Sequence, residues 1–292
     1  MRALVVINPV SGSGRRVVED CAALARRVLT SHGFEARIAV TTARGDARRM
    51  VADARSAGVT RVVAWGGDGT INEVGSALAF SDIPMAVVPG GSGNGLARDL
   101  GVPLDPLAAL ELAAAGRTRV IDAGQLDEAL FFNVAGLGLD AAIAERLARP
   151  GARRGLAGYV QATCAELPRY QARPYRIEGM DGPIEHDAWF VAVANSRQYG
   201  NGAQIAPAAR LDDGRLDLVV VEAQPLWRVL CLLPSFFRGT LAPGPGLHMS
   251  QMEAASISSA AAIAYHVDGE PGLGGRTVQV RIRPSALCVV CP

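Results

Sequence analysis

The sequence predicts an α/β nucleotide-binding domain followed by a β-rich domain. Early in the chain, short apolar runs alternate with helix-like patterns, and two of these runs end in glycine-rich stretches, at residues 65–70 and 89–94. From about residue 120 onward, strand-like runs follow one another with fewer helices between them. The alternating part predicts a parallel sheet covered by helices on both faces, and the later part predicts an antiparallel, sandwich-like sheet.

Composition is typical of a packed globular protein. Hydrophobic residues make up 49% of the 292 residues and charged residues 20%, which excludes an intrinsically disordered chain. The net charge of +1 gives no reason to expect a nucleic-acid partner. No apolar run is long enough to span a bilayer, and the first one, residues 3–7, predicts a buried strand rather than a signal peptide. A cytoplasmic location is therefore expected.

The five cysteines are scattered, which argues against a disulfide framework.

In the first domain, hydrophobic periodicity distinguishes the helices from the strands. Residues 15–32 place arginines on one helical face and Val18, Ala22 and Leu29 on the other. Gly58 is positioned to end the second helix. Strands are predicted at 3–7, 36–40, 61–64 and 85–88, and helices at 15–32, 46–57, 70–79, 95–100 and 107–115. Ligands of such sheets bind at the carboxyl ends of the strands, where the glycine-rich stretches lie.

The second domain combines many strands with few helices. Strands are predicted at 120–123, 129–134, 175–178, 187–194, 216–221, 262–267 and 278–282, and helices at 155–167 and 226–238. The domains are expected at 1–122 and 123–292, with the last strand, about 279–291, a candidate to pack back on the first domain. Because no low-complexity linker occurs, we expect closely docked domains with the active site in the cleft between them. An exposed sheet edge in the second domain would support a homodimer.

The two glycine-rich stretches are the strongest candidate for a binding site. Trp65-Gly66-Gly67-Asp68-Gly69-Thr70 and Pro89-Gly90-Gly91-Ser92-Gly93-Asn94 each join a predicted strand to a predicted helix. Bare backbone N–H groups and helix N-termini attract phosphate. A carboxylate such as Asp68 suits that setting if a divalent cation separates it from the phosphates, or if it accepts a proton from a substrate hydroxyl. The pair of loops therefore predicts a nucleoside-triphosphate phosphotransferase.

Six motifs follow one another along the chain. They are Asn8-Pro9 with Ser11-Gly12-Ser13-Gly14; Thr41-Thr42 with Gly45-Asp46-Ala47; Gly66-Gly67-Asp68-Gly69-Thr70-Ile71-Asn72-Glu73-Val74; Pro89-Gly90-Gly91-Ser92-Gly93-Asn94; Phe132-Asn133-Val134-Ala135-Gly136-Leu137-Gly138-Leu139-Asp140-Ala141; and Val267-Asp268-Gly269-Glu270. With these motifs in this order, the chain resembles the bacterial soluble lipid kinases of the diacylglycerol kinase type, whose relatives include sphingosine and ceramide kinases. The resemblance extends over nearly the whole chain.

The resemblance implies ATP- and Mg²⁺-dependent phosphorylation of a lipid hydroxyl, with a diacylglycerol-like or sphingoid-like acceptor at a membrane surface. It implies Glu270 as the general base and Asp68 as a catalytic carboxylate that holds Mg²⁺ through water. Asp140 is a candidate for binding the head group of the lipid. The expected nucleotide site comprises Asn8, Ser13, Arg15, Thr42, Gly66, Gly67, Gly69, Thr70, Gly91, Ser92, Gly93 and Asn94.

Structural roles compete with these assignments. Asp68 lies in ordinary turn sequence, and Asp268-Gly269 is a strong hairpin signal. Asp140 would serve equally well as the N-cap of a helix over 141–148, and Arg15 as part of a solvated helix face. Two other functions stay open: an NAD kinase-like enzyme with a soluble acceptor, which also uses a Gly-Gly-Asp-Gly loop, and a non-catalytic nucleotide- or lipid-binding regulator.

Two positions depart from the bacterial diacylglycerol kinase pattern. Gly95 stands where many of those kinases have an aspartate, which makes the second glycine loop more similar to the sphingosine and ceramide kinase branch. Arg210, a cation, stands where relatives supply a ligand to a structural Mg²⁺, and the Asp-Asp-Gly that follows it is explained as a plain turn.

The most apolar segment of the chain is residues 226–238. Its Trp227, Phe236 and Phe237, with flanking arginines, suit either a helix packed on a sheet or a membrane-interface helix, and peripheral association with a membrane is expected.

Overall fold

The structure is a computed structural model that describes residues 1–9, 15–149, 151–153, 155–180 and 182–292. Within these ranges it leaves out the side chains of Arg15, Arg16, Leu226, Trp227, Val229, Leu230 and Leu233. The chain divides into two compact units. The first comprises Met1–Ile121 with Ser285–Pro292, and the second comprises Asp122–Pro284. Among the helices of the described ranges, none is both long enough and apolar enough to cross a bilayer.

Four parallel strands form the centre of the first unit: β1 (Arg2–Ile7), β2 (Glu35–Val40), β3 (Arg61–Gly66) and β4 (Met85–Pro89). They lie in the order β2–β1–β3–β4, with Leu4 of β1 beside Val62 of β3 and Val62 beside Met85 of β4. Strands β1, β3 and β4 are buried over nearly their whole length. Such continuous burial is expected where helices cover both faces of a parallel sheet, so the predicted α/β fold of this region is confirmed.

Five helices accompany this sheet: α1 (Arg15–Ser31), α2 (Asp46–Ser56), α3 (Asp68–Leu78), α4 (Gly95–Asp99) and α5 (Pro106–Ala115). Helices α2, α3 and α4 each begin within six residues of the end of a strand, so their N-termini lie near the carboxyl edge of the sheet. As predicted, α2 ends next to Gly58, whose φ of 74° lies in the left-handed region that glycine enters without strain.

The second unit is mainly antiparallel. Its strands are β5 (Arg117–Leu126), β6 (Ala129–Phe131), β7 (Val134–Gly138), β8 (Arg173–Gly179), β9 (Gly182–Ala194), β10 (Gln198–Gly200), β11 (Ala203–Gln204), β12 (Leu216–Glu222), β13 (Leu247–Met252), β14 (Ala254–Ser258), β15 (Ala264–Val267), β16 (Glu270–Leu273) and β17 (Thr277–Cys291). The first residues of β5 and the last residues of β17 belong to the first unit. In that unit, Val289 of β17 pairs with Met85 of β4. Helices α6 (Leu139–Ala148), α7 (Gly155–Glu166) and α8 (Leu226–Arg238) complete the elements of the described residues.

Alternation along β12 shows how the second unit is layered. Leu218 and Val220 belong to one buried apolar cluster, whereas Val219 and Val221 belong to another. Successive side chains of a strand point to opposite faces of the sheet. The sheet is therefore covered on both faces at β12, as the predicted sandwich-like arrangement requires.

The strand pattern of the second unit differs from the prediction in two respects. The single strand predicted at 129–134 is divided into β6 and β7, because the backbone N–H groups of Phe132, Asn133 and Val134 donate to the carboxylate of Asp268. Strands β10, β11, β13, β14 and β16 were not predicted. Strand β13 buries only its first residue, Leu247, fully, so its sequence carries little of the apolar alternation that identifies a strand.

Candidate active site

The two glycine loops touch each other through their backbones. The N–H of Gly90 donates to the carbonyl of Gly66 at 2.8 Å. A Cβ added to Gly91 would lie 2.6 Å from the Cα of Gly67, and a Cβ added to Gly67 would lie 3.3 Å from the Cα of Gly91. Any side chain at Gly91 would push the loops apart. Glycine is thus required here because two chain segments approach closely, which the sequence alone did not establish.

The carboxylate of Asp68 joins the same two loops. Asp68 is the first residue of α3, and its two oxygens accept the N–H of Asn94 at 3.0 Å and the N–H of Gly95 at 2.8 Å. These N–H groups open α4, so the negative charge lies beside a helix N-terminus, where it is stabilised. Asp68 therefore has a positioning task in addition to the catalytic one that we expected.

Asn94 closes the second loop on itself. Its side-chain oxygen accepts the N–H of Gly91 and its side-chain NH₂ donates to the carbonyl of Gly91, both at 2.9 Å. Its φ of 52° lies in the left-handed region, which asparagine tolerates better than most residues. Because Asn94 is buried and its amide is used within the loop, it shapes the backbone, whereas Ser92 at the tip is exposed.

Two further contacts connect the junctions between strands and helices. The side-chain NH₂ of Asn8 donates to the hydroxyl of Thr70 at 2.9 Å. The carboxylate of Glu73, a residue that we did not predict, accepts the N–H groups of Gly45 at 2.8 Å and Ala47 at 3.2 Å. The loops that follow β1, β2, β3 and β4 are therefore linked by hydrogen bonds at one edge of the sheet. Half-buried Gly69 lies in the first turn of α3.

Thr42 is held by the loop that follows β2. The carboxylate of Asp46 accepts the hydroxyl of Thr42 at 2.7 Å and the N–H groups of Thr42 and Ala43 at 2.8 and 3.0 Å. These bonds, the Thr42 hydroxyl foremost, lower the pKa of Asp46 from 3.8 to about 2. Of the other predicted nucleotide residues, Ser13 lies outside the described residues. Arg15 begins α1, and its side chain also lies outside them.

In the second unit, Asp268 and Gly269 form the hairpin turn that their sequence predicts. Their φ angles of 49° and 85° are typical of a two-residue type I′ turn between β15 and β16. The Asp268 carboxylate also accepts three N–H groups, those of Phe132 and Asn133 at 2.9 Å and of Val134 at 3.1 Å. Glu270 is the first residue of β16 and is half-buried. Asp268 thus anchors the turn from which Glu270 projects.

Asp140 is not a helix N-cap. Helix α6 begins at Leu139, two residues earlier than predicted, its N-cap is Gly138, and no side-chain capping bond is made. Instead, the buried carboxylate accepts Nε2–H of His266 at 2.7 Å and the hydroxyl of Tyr199. The hydroxyl of Tyr159 donates to that of Tyr199 at 3.1 Å. A Cβ on Gly136 would overlap both Asp140 and His266, so this glycine makes room for the pair.

The charge of Asp140 changes the acidity of its neighbours. Burial lowers the pKa of His266, but the carboxylates of Asp140 and, to a lesser degree, Asp268 together outweigh burial, and the pKa lies above its usual 6.5. Burial and the same carboxylate raise the pKa of Tyr159 well above 10.0. Gly269 N–H donates to Nδ1 of His266 at 3.2 Å, which connects this network to the turn beside Glu270. Sequence reasoning missed His266, although it lies on the strand that leads into the Asp-Gly-Glu motif, and it missed Tyr199 and Tyr159, for which the sequence holds no signal.

Near Arg210 the structure is that of a turn. The guanidinium of Arg210 pairs with Asp212 at 3.7 Å, and the Asp213 carboxylate accepts the N–H of Arg215 at 3.0 Å. The N–H of Gly214 donates to Asp122 at 2.8 Å. These contacts hold the loop as a turn and tie it to Asp122 of β5.

Two family models match the chain. Residues 2–126 match the diacylglycerol kinase catalytic domain, and residues 133–291 match the YegS C-terminal NAD kinase beta sandwich-like domain. A diacylglycerol kinase from Mycobacterium tuberculosis is 32% identical over 275 residues, which cover 91% of this chain and 85% of that protein. A probable lipid kinase YegS from Escherichia fergusonii is 32% identical over 294 residues, which cover 98% of this chain and 94% of that protein.

Solved structures from Bacillus anthracis share the fold. One, described as a diacylglycerol kinase, gives a TM-score of 0.76 at 20% identity, with coverage of 100% of this chain and 97% of that chain. Another gives a TM-score of 0.84 at 23% identity with the same coverage. The two family models, which account for nearly all of the sequence, and the curated relatives show that the chain is a kinase and belongs to the lipid kinase family that joins a diacylglycerol kinase catalytic domain to a YegS C-terminal domain.

Proposed function

We propose that this kinase transfers the γ-phosphoryl group of ATP, with the help of Mg²⁺, to a hydroxyl group of a diacylglycerol-like or sphingoid-like lipid. The observation that carries the proposal is the close backbone approach of the glycine loops, where a Cβ at Gly91 would lie 2.6 Å from Gly67. Such a surface without side chains, beside the N-terminus of α3, is suited to a chain of phosphates.

The residues of the first unit would bind and orient the nucleotide. Gly67 and Gly69 would present backbone N–H groups to the phosphates. Gly91, whose N–H is bonded to Asn94, would form the facing wall, and the Asn8–Thr70 bond would keep the adjoining loop in place. Asp68 offers the hard carboxylate oxygen that Mg²⁺ prefers and would hold the ion through water. Held there, the ion would supply positive charge that offsets the negative charge developing on the phosphates during transfer.

The residues of the second unit would act on the acceptor. Glu270 would take the proton of the attacking hydroxyl as general base, which needs a carboxylate within hydrogen-bonding reach of that hydroxyl. The Asp268 bonds support this by fixing the turn before Glu270. Asp140 would accept a hydrogen bond from the lipid head group, and its orientation is set by His266 and Tyr199.

The proposal is tested by incubating the enzyme with γ-labelled ATP, Mg²⁺ and a total lipid extract, and by measuring transfer of the label to lipid. We expect one labelled lipid class, whose head group names the acceptor. Glu270→Gln should remove at least about 99% of the label, because general-base catalysis contributes about 10²–10⁴ in rate. Glu128→Gln, at an exposed carboxylate of the same unit, is the matched control and should keep full activity. Labelled NAD without labelled lipid would instead support the NAD kinase-like alternative, and ATP binding without transfer would support a regulator.

We further propose that α8 brings the enzyme to the membrane surface. Leu232 and Phe236 of this helix pack against a buried cluster, whereas Phe237 is 47% exposed. The proposed membrane contact also depends on Trp227, whose side chain is not among those that the structure describes. Phe237→Ser should reduce sedimentation with anionic vesicles, whereas Phe80→Ser, at another exposed phenylalanine, should not. Equal sedimentation of both variants and the wild type would refute docking through this helix.

A further inference from the structure

A second cluster of side chains in the second unit includes none of the residues considered above. Nδ1 of His186 lies 2.8 Å from Oε1 of Glu222, and Nε2 of His248 lies 3.0 Å from the same oxygen. The three ligand-type atoms all lie within 4.8 Å of one another. Within the part of the chain that the structure describes, no other three His, Cys, Asp or Glu residues meet in this way.

The sheet itself assembles this cluster. Strand β12 pairs with β9 on one side and with β13 on the other. Val220 is paired with His248, and Glu222 is paired with Ala188, two residues beyond His186. Because alternate residues of a strand share a face, Glu222 lies on the same face as Val220. Three neighbouring strands thus each contribute one group, and their register sets the spacing.

The cluster is open to solvent on one side. The side chains of His186, Glu222 and His248 are 15%, 34% and 46% exposed, so an ion could enter without local unfolding. The imidazole rings lie face to face, tilted by 34°, with centroids 4.3 Å apart.

We propose that His186, Glu222 and His248 bind one transition-metal ion of the Zn²⁺ type, with water in the remaining position. Two imidazole nitrogens and one carboxylate are a known ligand set for Zn²⁺, whereas Mg²⁺ prefers oxygen ligands only. Bonds of about 2.0–2.1 Å at tetrahedral angles place ligand atoms about 3.3 Å apart. The nitrogen–oxygen distances of 2.8 and 3.0 Å would have to lengthen by only a few tenths of an ångström.

Binding exchanges two hydrogen bonds for coordinate bonds. Each imidazole would turn a lone pair of the same nitrogen towards the ion and carry its proton on the other nitrogen. The ion would then cross-link β9, β12 and β13. Because it binds only the folded sheet, it raises the stability of the second unit. This site is separate in chemistry from the Mg²⁺ proposed for phosphoryl transfer.

The proposal is tested by isothermal titration calorimetry. Zn²⁺ is titrated into the full chain after a chelator has removed any bound metal. We expect one ion per chain and a rise in the midpoint of thermal unfolding. Co²⁺ in place of Zn²⁺ should give the visible absorption of a four-coordinate nitrogen–oxygen site. His248→Gln should weaken affinity at least about tenfold, because one of three protein ligands is lost. His32→Gln, at a histidine that contacts Glu111 instead, should bind like the wild type.

Three results would overturn the proposal. The first is an absence of stoichiometric Zn²⁺ binding to the wild type, which would leave the cluster as a hydrogen-bonded network only. The second is unchanged affinity in both His248→Gln and Glu222→Gln. The third is a thiolate charge-transfer band with Co²⁺, because it would place the ion on a cysteine such as the exposed Cys164 or Cys231.

Discussion

Asp268→Asn measures how much the turn before Glu270 contributes to folding. In the wild type, Oδ1 of Asp268 accepts the N–H groups of Asn133 and Val134, and Oδ2 accepts that of Phe132. Asparagine keeps one oxygen and replaces the other by an NH₂ group, which would face the N–H of Phe132. Since asparagine also tolerates the left-handed φ of 49°, the variant changes the hydrogen bonds and the charge while leaving the turn conformation accessible.

The magnitude follows from the bonds lost. A hydrogen bond to a charged group contributes about 1.5–3 kcal/mol, and the other two bonds become weaker when their acceptor loses its charge. The backbone at Phe132 is buried, so its N–H gains no compensating bond to water. We expect the free energy of unfolding to fall by about 2–4 kcal/mol, which for a chain of this size corresponds to a decrease in Tm of about 4–12 °C.

The assay is thermal unfolding followed by circular dichroism, supported by urea titration of the same proteins. Asp187→Asn is the matched control, because this aspartate is exposed in the same unit, and its Tm should stay within about 1 °C of the wild type. A Tm of Asp268→Asn equal to that of the control would refute the reasoning that the three N–H groups depend on this carboxylate.

Three further variants test other parts of the structure. Gly91→Ala should lower ATP affinity at least about fivefold in calorimetry, because overpacking against the opposing loop costs about 1–3 kcal/mol. In Gly244→Ala, where a Cβ meets nothing within 4 Å, affinity should not change, and equal ATP affinities of the two variants would contradict nucleotide binding at the paired glycine loops. Burial raises the pKa of Asp217 from 3.8, its value in the unfolded chain, to about 6. The protein therefore loses stability as the pH rises from 3.8 to 6, because the buried carboxyl group must then ionise. Asp217→Asn should therefore stabilise by about 1–3 kcal/mol at about pH 8 and by less at about pH 4.5, and an equal gain at both would refute this. Asp140→Asn removes the larger of the two carboxylate charges that raise the pKa of His266, the other being that of Asp268. We therefore expect the pKa of His266 to fall below its wild-type value in an NMR titration, and an unchanged pKa would assign the shift to another group.

Elements with strong local patterns were predicted well. Helix α8 was predicted at 226–238 and is found at Leu226–Arg238, because its apolar residues recur with helical spacing. The parallel strands of the first unit were also located, since burial on both faces produces short continuous apolar runs. Prediction failed for β13, most of whose residues are exposed or half-buried, and for the division of 129–134, which a distant carboxylate causes.

Local chemistry along the sequence determined the two glycine loops, the type I′ turn at Asp268-Gly269 and the α/β order, because each depends on residues that are close in the chain. Tertiary structure decided what the polar side chains do. Asp140 meets His266 across 126 positions and Tyr199 across 59, and Asp268 reaches Asn133 across 135. No periodicity or local spacing encodes such pairs. They arise only when the sheet brings distant strands together and buried polar groups must find hydrogen-bond partners.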